Sequence, residues 1–378
     1  MALLLRLRPA SGELLNLDFL RFIASVGIVA HHSIEFFLAR EYRAALTDQT
    51  RGLSLFVDLF FVISGFVIAY VYRGRVGTWT GYGNFMQRRL GRLFPLHLLT
   101  LAVSVIVLGA IATRWQSNHL PSLDARCIAQ TAVFLHAIVS CGNGVSFNGV
   151  SWSIGAEMVM YLIFPAFAWT GHRARTGLLV VTVASLLTAV AFHRVENMPW
   201  ENLWPVFRAL PSFLIGVSLF YWQDALRRMP KPGPILAVSL PMMAIAMTMG
   251  MPDAASLALV YIVAASAIAS DLQGSVTAVV RQLAPLGQLT YSMYMWHSIL
   301  ITVLLNAVGD KLLHAGTGPM LAIGAVCYAG ILVVSYLSYV FVETPARRWI
   351  DSLRLFSPVD RKAKMADASS PSSVSGQG

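Results

Sequence analysis

Long apolar stretches, separated by short polar segments that are rich in arginine, repeat along almost the whole chain. Most stretches hold about twenty residues, the length that a helix needs to cross the hydrocarbon core of a bilayer. The pattern predicts an all-α, polytopic membrane protein with about 10 transmembrane helices. We place these helices near residues 16–38, 52–72, 92–113, 150–170, 177–193, 204–222, 234–250, 255–271, 285–307 and 318–342.

A further apolar segment, residues 127–139, is too short to cross a bilayer comfortably. It is followed by Gly142, Asn143 and Gly144, so we predict a half-helix or a re-entrant element. The alternative is an eleventh full span, which would invert the topology of every later helix.

Composition supports the same class of protein. Hydrophobic residues make up 56% of the chain and charged residues 12%, and the mean hydropathy of +0.64 excludes a soluble core. Three cysteines are too few for a disulfide framework and show no metal-binding spacing, so neither a metal nor a bound cofactor is expected. Cys127 and Cys141 flank the short segment and could form a disulfide, but the sequence favours two unpaired buried thiols.

The net charge of +10 is explained by topology. With the N-terminus inside, the cytoplasmic segments hold nineteen lysines and arginines and the outer segments hold seven. This asymmetry supports ten crossings with both termini in the cytoplasm. No nucleic-acid partner is needed to account for the charge.

The chain is predicted to hold one membrane domain, residues 1–350. After Phe356 the sequence becomes polar and rich in serine, a composition that cannot bury enough apolar surface to fold. Residues 351–378 are therefore predicted to form a disordered cytoplasmic tail.

Ionisable residues lie within the first predicted span. Arg21 and His32 are eleven residues apart, so a helix places them on one face about 16 Å apart, and Asp18 joins that face. Such groups inside a spanning helix mark a substrate or proton path. The alternative is an arginine that extends to the membrane surface and a histidine bonded to a carbonyl.

Two later spans also carry regularly spaced polar groups. Ser153, Glu157 and Tyr161 recur every four residues and share one helix face, although a glutamate near the interface can also be solvated. Tyr291, Tyr294 and His297 repeat at three-residue spacing and form a second stripe, for which an ordinary interfacial belt is the alternative.

Three further motifs are notable. Arg88, Arg89 and Arg92 can bind phosphates in bidentate fashion, or they can anchor the chain to anionic lipid. Ser64 precedes Gly65 in mid-span, a pair of small residues that indicates close helix packing. Glu343 ends the last span, where its carboxylate could simply be solvated.

Taken in order, these motifs resemble the membrane acyltransferase-3 family, bacterial inner-membrane enzymes that O-acylate carbohydrates and related acceptors. The resemblance runs from Leu17 to Trp349, and six motifs in the right order are specific. Phe22 and Thr290 replace a Gly and a Ser that are usual in the family. The matching motifs are Arg21 with His32, Phe60 to Phe66, Arg88-Arg89 with Arg92 and Pro95, Trp152-Ser153 with Glu157 and Tyr161, Thr290-Tyr291 with Tyr294 and His297, and Glu343 with Pro345.

The resemblance implies an O-acyltransferase in the bacterial inner membrane that uses cytoplasmic acyl-CoA, by default acetyl-CoA, and a carbohydrate hydroxyl as acceptor. His32 would act as general base, with Glu157 fixing its tautomer. The CoA phosphates would be bound by Arg21, Arg88, Arg89 and Arg92. The residues implied in acceptor binding or support are Asp18, Ser64, Trp152, Ser153, Tyr161, Tyr294, His297 and Glu343.

Several alternatives stay open at this level. His32 could instead carry the acyl group as an acyl-imidazole. The acceptor could be a lipid or a small secondary metabolite, and a transporter with a proton or anion relay would also need buried ionisable groups. The sequence does not specify the oligomeric state.

Overall fold

The computed structural model describes residue 7 and residues 14–38, 40–114, 123–142, 147–193, 204–353 and 355–356. Within these ranges every regular element is helical. The α-helices are α1 Leu15–Ser33, α2 Arg40–Gln49, α3 Phe56–Tyr72, α4 Trp79–Arg114, α5 Ala125–Ala132, α6 Ser151–Arg173, α7 Arg175–His193, α8 Trp204–Tyr221, α9 Gln223–Arg227, α10 Pro232–Thr248, α11 Asp253–Leu272, α12 Ala278–Leu283, α13 Thr290–Leu300, α14 Thr317–Ser338 and α15 Thr344–Ser352. Short 3₁₀ helices occupy Ile34–Phe37, Arg51–Leu55, Leu135–Ala137 and Ala284–Leu289, and π-helical turns occupy Ile301–Leu312 and Tyr339–Glu343.

The all-α, polytopic membrane fold is confirmed. Among the described residues, eight continuous helical segments are long and apolar enough to cross a membrane. Two shorter apolar helices, Arg175–Leu186 and Pro232–Thr248, coincide with the two remaining predicted spans. The turn between α3 and α4 carries Arg73 and Arg75, and we call this side of the bundle the basic face. The opposite face carries α2 and α5.

The segment near 127–139 forms a short helix, as the pattern predicted, but its cysteines differ from the expectation. Helix α5 has only eight residues, and the chain turns back through Phe134, whose φ is +65°. This reversal brings the Cα atoms of Cys127 and Cys141 to 5.5 Å, and the two residues form a disulfide. The preference for two unpaired thiols was therefore wrong, because cysteine spacing does not show a chain reversal.

Helix α1 is held at its N-terminus by a carboxylate from another helix. The backbone N–H groups of Asn16 and Leu17 donate to the two oxygens of Asp271 at 2.9 and 3.1 Å, and the Asn16 amide adds a bond of 2.7 Å. A carboxylate at this position satisfies amides that the helix itself leaves unpaired and complements the helix dipole. The cap fixes the register of the helix that carries Arg21 and His32.

Helices α3 and α8 cross at a pair of glycines. A Cβ atom at Gly65 would overlap the carbonyl oxygen of Phe213, and one at Gly216 would overlap that of Val62. Small residues allow two backbones to approach this closely in a membrane. The close packing predicted for the Ser64-Gly65 pair is confirmed, and it fixes the position of Ser64.

Helical structure continues past residue 350, where the membrane domain was predicted to end. Helix α15 continues to Ser352, and a Cβ at Gly83 would overlap the ring of Phe356, so the chain still packs against α4 at that point. The remainder of the predicted tail, residues 357–378, lies outside the described residues.

Candidate active site

A cavity opens between helices α1, α3, α4, α6 and α13. It combines an apolar wall with a few convergent polar groups, which is the usual composition of a small-molecule site. Its polar and charged lining residues are Arg21, Ser64, Arg89, Arg92, Ser153, Glu157, Tyr161, Thr290, Tyr291 and Tyr294.

Three arginines give this cavity a positive charge. Arg21 pairs with Asp18 at 2.9 Å, one turn earlier on the same helix. Arg89 donates to the hydroxyl of Tyr72 at 3.0 Å and lies over the rings of Tyr72 and Tyr161. No ion pair among the described residues includes Arg89 or Arg92. The basic side of the cavity therefore favours an anionic ligand.

Arg88 does not join this group. Its side chain is exposed, and it does not line the cavity that Arg89 and Arg92 face. Neighbouring residues on a helix point about 100° apart, so adjacent arginines face different surroundings. The structure thus separates Arg88 from the predicted set of donor-binding arginines.

Glu157 is held within the cavity by two hydroxyl groups. Ser64 and Tyr161 both donate to its Oε1 atom, each at 2.5 Å. Its Oε2 atom makes no hydrogen bond with the described residues. The close crossing of α3 and α8 places Ser64 in position for this contact. Glu157 is therefore fixed by α3 and by its own helix.

His32 takes a different partner from the one that the sequence suggested. Its Nδ1 atom lies 3.0 Å from the carbonyl oxygen of Ile28, one turn earlier on α1. A carbonyl can only accept, so Nδ1 carries the proton and Nε2 keeps its lone pair. The expectation that Glu157 fixes the tautomer is corrected, because Ile28 performs that role.

A second histidine lies beside His32. The ring centroids of His32 and His297 are 5.1 Å apart, and His297 is completely buried. Its Nδ1 atom lies 3.1 Å from the carbonyl oxygen of Met293, and its Nε2 atom is buried without a hydrogen-bond partner in the described structure. His32 itself is exposed. In the neutral form of each ring, the lone pair is therefore on Nε2.

Tyr294 connects the histidines to the cavity. Its ring lines the cavity and lies 5.6 Å from the ring of His297. Its hydroxyl is 2.7 Å from the hydroxyl of Ser153 and donates to the carbonyl oxygen of Val150 at 3.2 Å. The predicted stripe of Tyr294 and His297 therefore faces the bundle interior, where an interfacial belt would not lie.

Two other predicted residues lie at the edge of this arrangement. Glu343 accepts a hydrogen bond from Ser292 on α13 and does not line the cavity. Trp152 packs against Phe61, a lining residue, at 6.4 Å between ring centroids. The described residues include no group of three or more histidine, cysteine or acidic side chains that could hold a metal ion.

An ion pair between two of the membrane-spanning helices was not predicted from the sequence. Asp58 on α3 and Arg208 on α8 form a salt bridge of 3.1 Å. Both lie in apolar stretches, where an ionisable residue is itself a signal of function. Tyr291 lines the cavity and donates to the carbonyl of Leu93 at 2.6 Å, although the sequence assigned it no role beyond the polar stripe and the family motif.

Comparison with known proteins identifies the family. A family model described as an acyltransferase domain matches residues 14–340. The chain is 25% identical to Acyltransferase MdmB of Streptomyces mycarofaciens over 92% of this chain and 95% of that protein. It is 24% identical to the exopolysaccharide production protein ExoZ of Rhizobium meliloti (strain 1021), over 77% of this chain and 89% of that one.

A shorter relative, Protein 2 in picA locus of Rhizobium radiobacter, is 30% identical over 46% of this chain and 92% of its own length. No solved structure matches the chain. The family match covers most of the chain and includes every candidate residue except Glu343, so the protein belongs to the acyltransferase-3 family of membrane acyltransferases.

Proposed function

We propose that this protein is an O-acyltransferase that moves an acyl group from acyl-CoA on the cytoplasmic side to a carbohydrate hydroxyl. The observation that supports this most directly is the continuity of the site. A positively charged cavity leads through Tyr294 and His297 to His32, whose free nitrogen can act as a base. Acyl transfer from a large anionic donor requires these two elements.

The donor would bind on the basic face. Guanidinium groups bind phosphate oxygens in bidentate fashion, and Arg89 and Arg92 have no carboxylate partner among the described residues. Helix α1 runs unbroken between Arg21 and His32, so the two are separated by about 16 Å along its axis. The extended pantetheine arm of CoA would cover this distance, and Glu157 Oε2 would accept one of its amide N–H groups.

The reaction would proceed at His32. The acceptor hydroxyl gives its proton to Nε2 as its oxygen attacks the thioester carbonyl carbon. The tetrahedral intermediate collapses, the C–S bond breaks, and the CoA thiolate takes the proton back from the imidazolium. The hydrogen bond to Ile28 keeps Nδ1 protonated and holds the ring in place throughout.

The acceptor class is supported by one relative. The name of ExoZ associates that protein with exopolysaccharide production. An exported or envelope carbohydrate is therefore the acceptor that we propose here, with acetyl as the transferred group.

Sidedness follows from two independent features. The excess of arginine and lysine on the basic face supports a cytoplasmic location for that face. The disulfide between Cys127 and Cys141 lies on the opposite face, and disulfides persist in oxidising compartments such as the periplasm. We therefore propose a bacterial inner-membrane protein with both termini in the cytoplasm.

Mass spectrometry of envelope glycans tests this function. Glycans from cells that express the protein should carry the mass increment of one acyl group, and glycans from cells that lack the gene should not. Expression of the His32→Ala variant serves as the control for catalysis. Identical glycan masses in all three strains would contradict a carbohydrate acceptor.

A second chemical route involves a covalent intermediate on the same residue. If acyl-CoA first transfers its acyl group to His32, rapid acid quenching without acceptor should leave an acyl adduct on the peptide that contains this residue. Absence of the adduct together with active transfer would support direct attack.

A further inference from the structure

A buried ion pair lies beside the histidines but takes no part in the proposed chemistry. Arg208 donates through Nη2 to Asp58 at 3.1 Å and to the carbonyl oxygen of Ser54 at 3.0 Å. The other oxygen of Asp58 accepts a hydrogen bond from Ser212 at 3.1 Å. An ion pair in a membrane helix bundle is costly, and such pairs are found mainly where a substrate or ion is bound.

Two indole rings flank the guanidinium group. The Cζ atom of Arg208 lies 5.2 Å from the ring centroid of Trp152 and 5.6 Å from that of Trp204. The two indoles are 5.9 Å apart at a steep angle, and both are partly exposed. Trp152 and Trp204 stand at the first turns of α6 and α8, so the group lies toward the face opposite the basic one.

This group is adjacent to the histidine pair. Ser153, the residue after Trp152 on α6, has its hydroxyl 2.7 Å from that of Tyr294, whose ring lies 5.6 Å from the ring of His297. The ring of His31 is 4.8 Å from that of His32. Trp152 also packs against Phe61 on the cavity wall. A ligand held by the two tryptophans would therefore have His32 within reach.

The guanidinium retains unused hydrogen-bond donors. Its hydrogen bonds with the described residues all use Nη2, so Nε and Nη1 can donate to a ligand. Asp58 already neutralises its charge. The site therefore offers directional donors next to aromatic surface, with no net positive charge to attract an anion.

We infer that Trp152, Trp204 and Arg208 form the acceptor subsite, and that they bind a neutral sugar with one hydroxyl directed toward His32. The C–H face of a pyranose packs on an indole, while its hydroxyl groups accept hydrogen bonds from a fixed donor. An acidic sugar would gain little here, because the Arg208 charge is already paired. This inference rests on the proposed function, since it assumes a carbohydrate acceptor.

The kinetic experiment uses the full-length protein in proteoliposomes with labelled acetyl-CoA. The acceptor is envelope polysaccharide purified from a strain that lacks the gene. Trp204→Ala should raise the KM for polysaccharide by about tenfold, corresponding to about 1.4 kcal/mol, while the KM for acetyl-CoA changes less than about twofold.

The chain provides a matched control on the basic face. Arg173 lies 5.4 Å from the ring of Trp169, which is 62% exposed, so the same type of pair occurs away from the site. Trp169→Ala should leave both KM values unchanged. Arg208→Lys keeps the charge opposite Asp58 but removes the planar donor group, so it should raise the acceptor KM without exposing a buried carboxylate.

Two outcomes would overturn the inference. Equal acceptor KM values for the Trp204→Ala and Trp169→Ala proteins would show that the indole does not contact the sugar. A parallel rise in the KM for both substrates would indicate a structural role only.

A binding measurement separates this inference from the proposed function. Tryptophan fluorescence is titrated with a neutral hexose oligosaccharide and with a uronic-acid oligosaccharide, without acetyl-CoA. Quenching by the neutral ligand should occur in wild type and weaken in Trp204→Ala. Quenching by the neutral ligand, together with no acetyl transfer in the proteoliposome assay, would support the subsite and contradict the proposed function. Absence of quenching by the neutral ligand would overturn the subsite.

Discussion

The two ends of the site carry different kinds of side chain. At the basic end, Arg21, Arg89 and Arg92 bring charge into an enclosed cavity, together with Glu157. At the other end, the rings of His32 and His297 are each held by a backbone carbonyl. Charged groups suit phosphate binding, whereas a base must keep a free lone pair at neutral pH. The difference fits the proposed function, in which donor binding and chemistry are separated along the bundle.

The two ends also differ in what holds their side chains in place. Arg89 and Glu157 are positioned by hydroxyl groups from other residues, Tyr72, Ser64 and Tyr161. His32 is positioned by Ile28 on its own helix. Substitutions around the charged end should therefore act across several helices, whereas the orientation of the base depends on the integrity of α1.

The largest effect is expected from removing His32, the proposed general base. His32→Ala should lower kcat by about 100- to 10,000-fold, the usual contribution of general base catalysis. His31→Ala should retain most of the activity, because the neighbouring ring does not supply the base. An equal loss of kcat in both variants would indicate that His31 and His32 act as a unit, which would contradict the assignment of the base to His32 alone. Both proteins must first be shown to insert normally, by membrane fractionation.

The next effect concerns donor binding at the basic end. Arg92→Gln should raise the KM for acyl-CoA by about tenfold or more, since one charge-assisted phosphate contact is lost while the reacting groups remain. Arg88→Gln is the matched control, because its side chain is exposed and outside the cavity. An unchanged donor KM in Arg92→Gln would instead favour a lipid-anchoring role for this arginine.

A smaller effect is expected from removing the hydroxyl groups that hold Glu157. Ser64→Ala and Tyr161→Phe each remove one hydroxyl bond to Glu157 Oε1, so each should lower kcat/KM several-fold. Because the two hydroxyls donate to the same atom, the double variant should lose less than the product of the single losses. A double-mutant cycle measures this. If the loss of kcat/KM in the double variant equals the product of the two single losses, the two hydrogen bonds do not act through Glu157.

The last experiment tests which compartment each face of the bundle is exposed to. Its substitutions are not expected to change activity. In a Cys327→Ala background that retains the disulfide, a cysteine replacing Ala45 on α2 should react with an impermeant thiol reagent in intact cells. A cysteine replacing Gly77, where a Cβ would meet open space, should react only after permeabilisation. Labelling of both positions from one side would contradict the proposed topology.

The sequence alone determined the class of fold and named most of the polar residues that line the cavity. Hydrophobic length is a local property, because each spanning helix must satisfy its own backbone hydrogen bonds, so spans can be read from apolar runs. The spacing of Arg21 and His32 on one helix is also local. The Ser64-Gly65 pair indicated close packing because small residues in mid-span allow two helix backbones to approach closely.

The tertiary structure decided how these helices rotate and meet. The neighbours of α4 decide that Arg92 faces the cavity and Arg88 does not. The relative placement of α1 and α6 decides that His32 is hydrogen-bonded to Ile28 and not to Glu157. The disulfide, the carboxylate cap from Asp271 and the Asp58–Arg208 pair join residues that are distant in sequence or separated by a chain reversal. Such contacts follow from the packing of whole helices, which no local pattern of residues specifies.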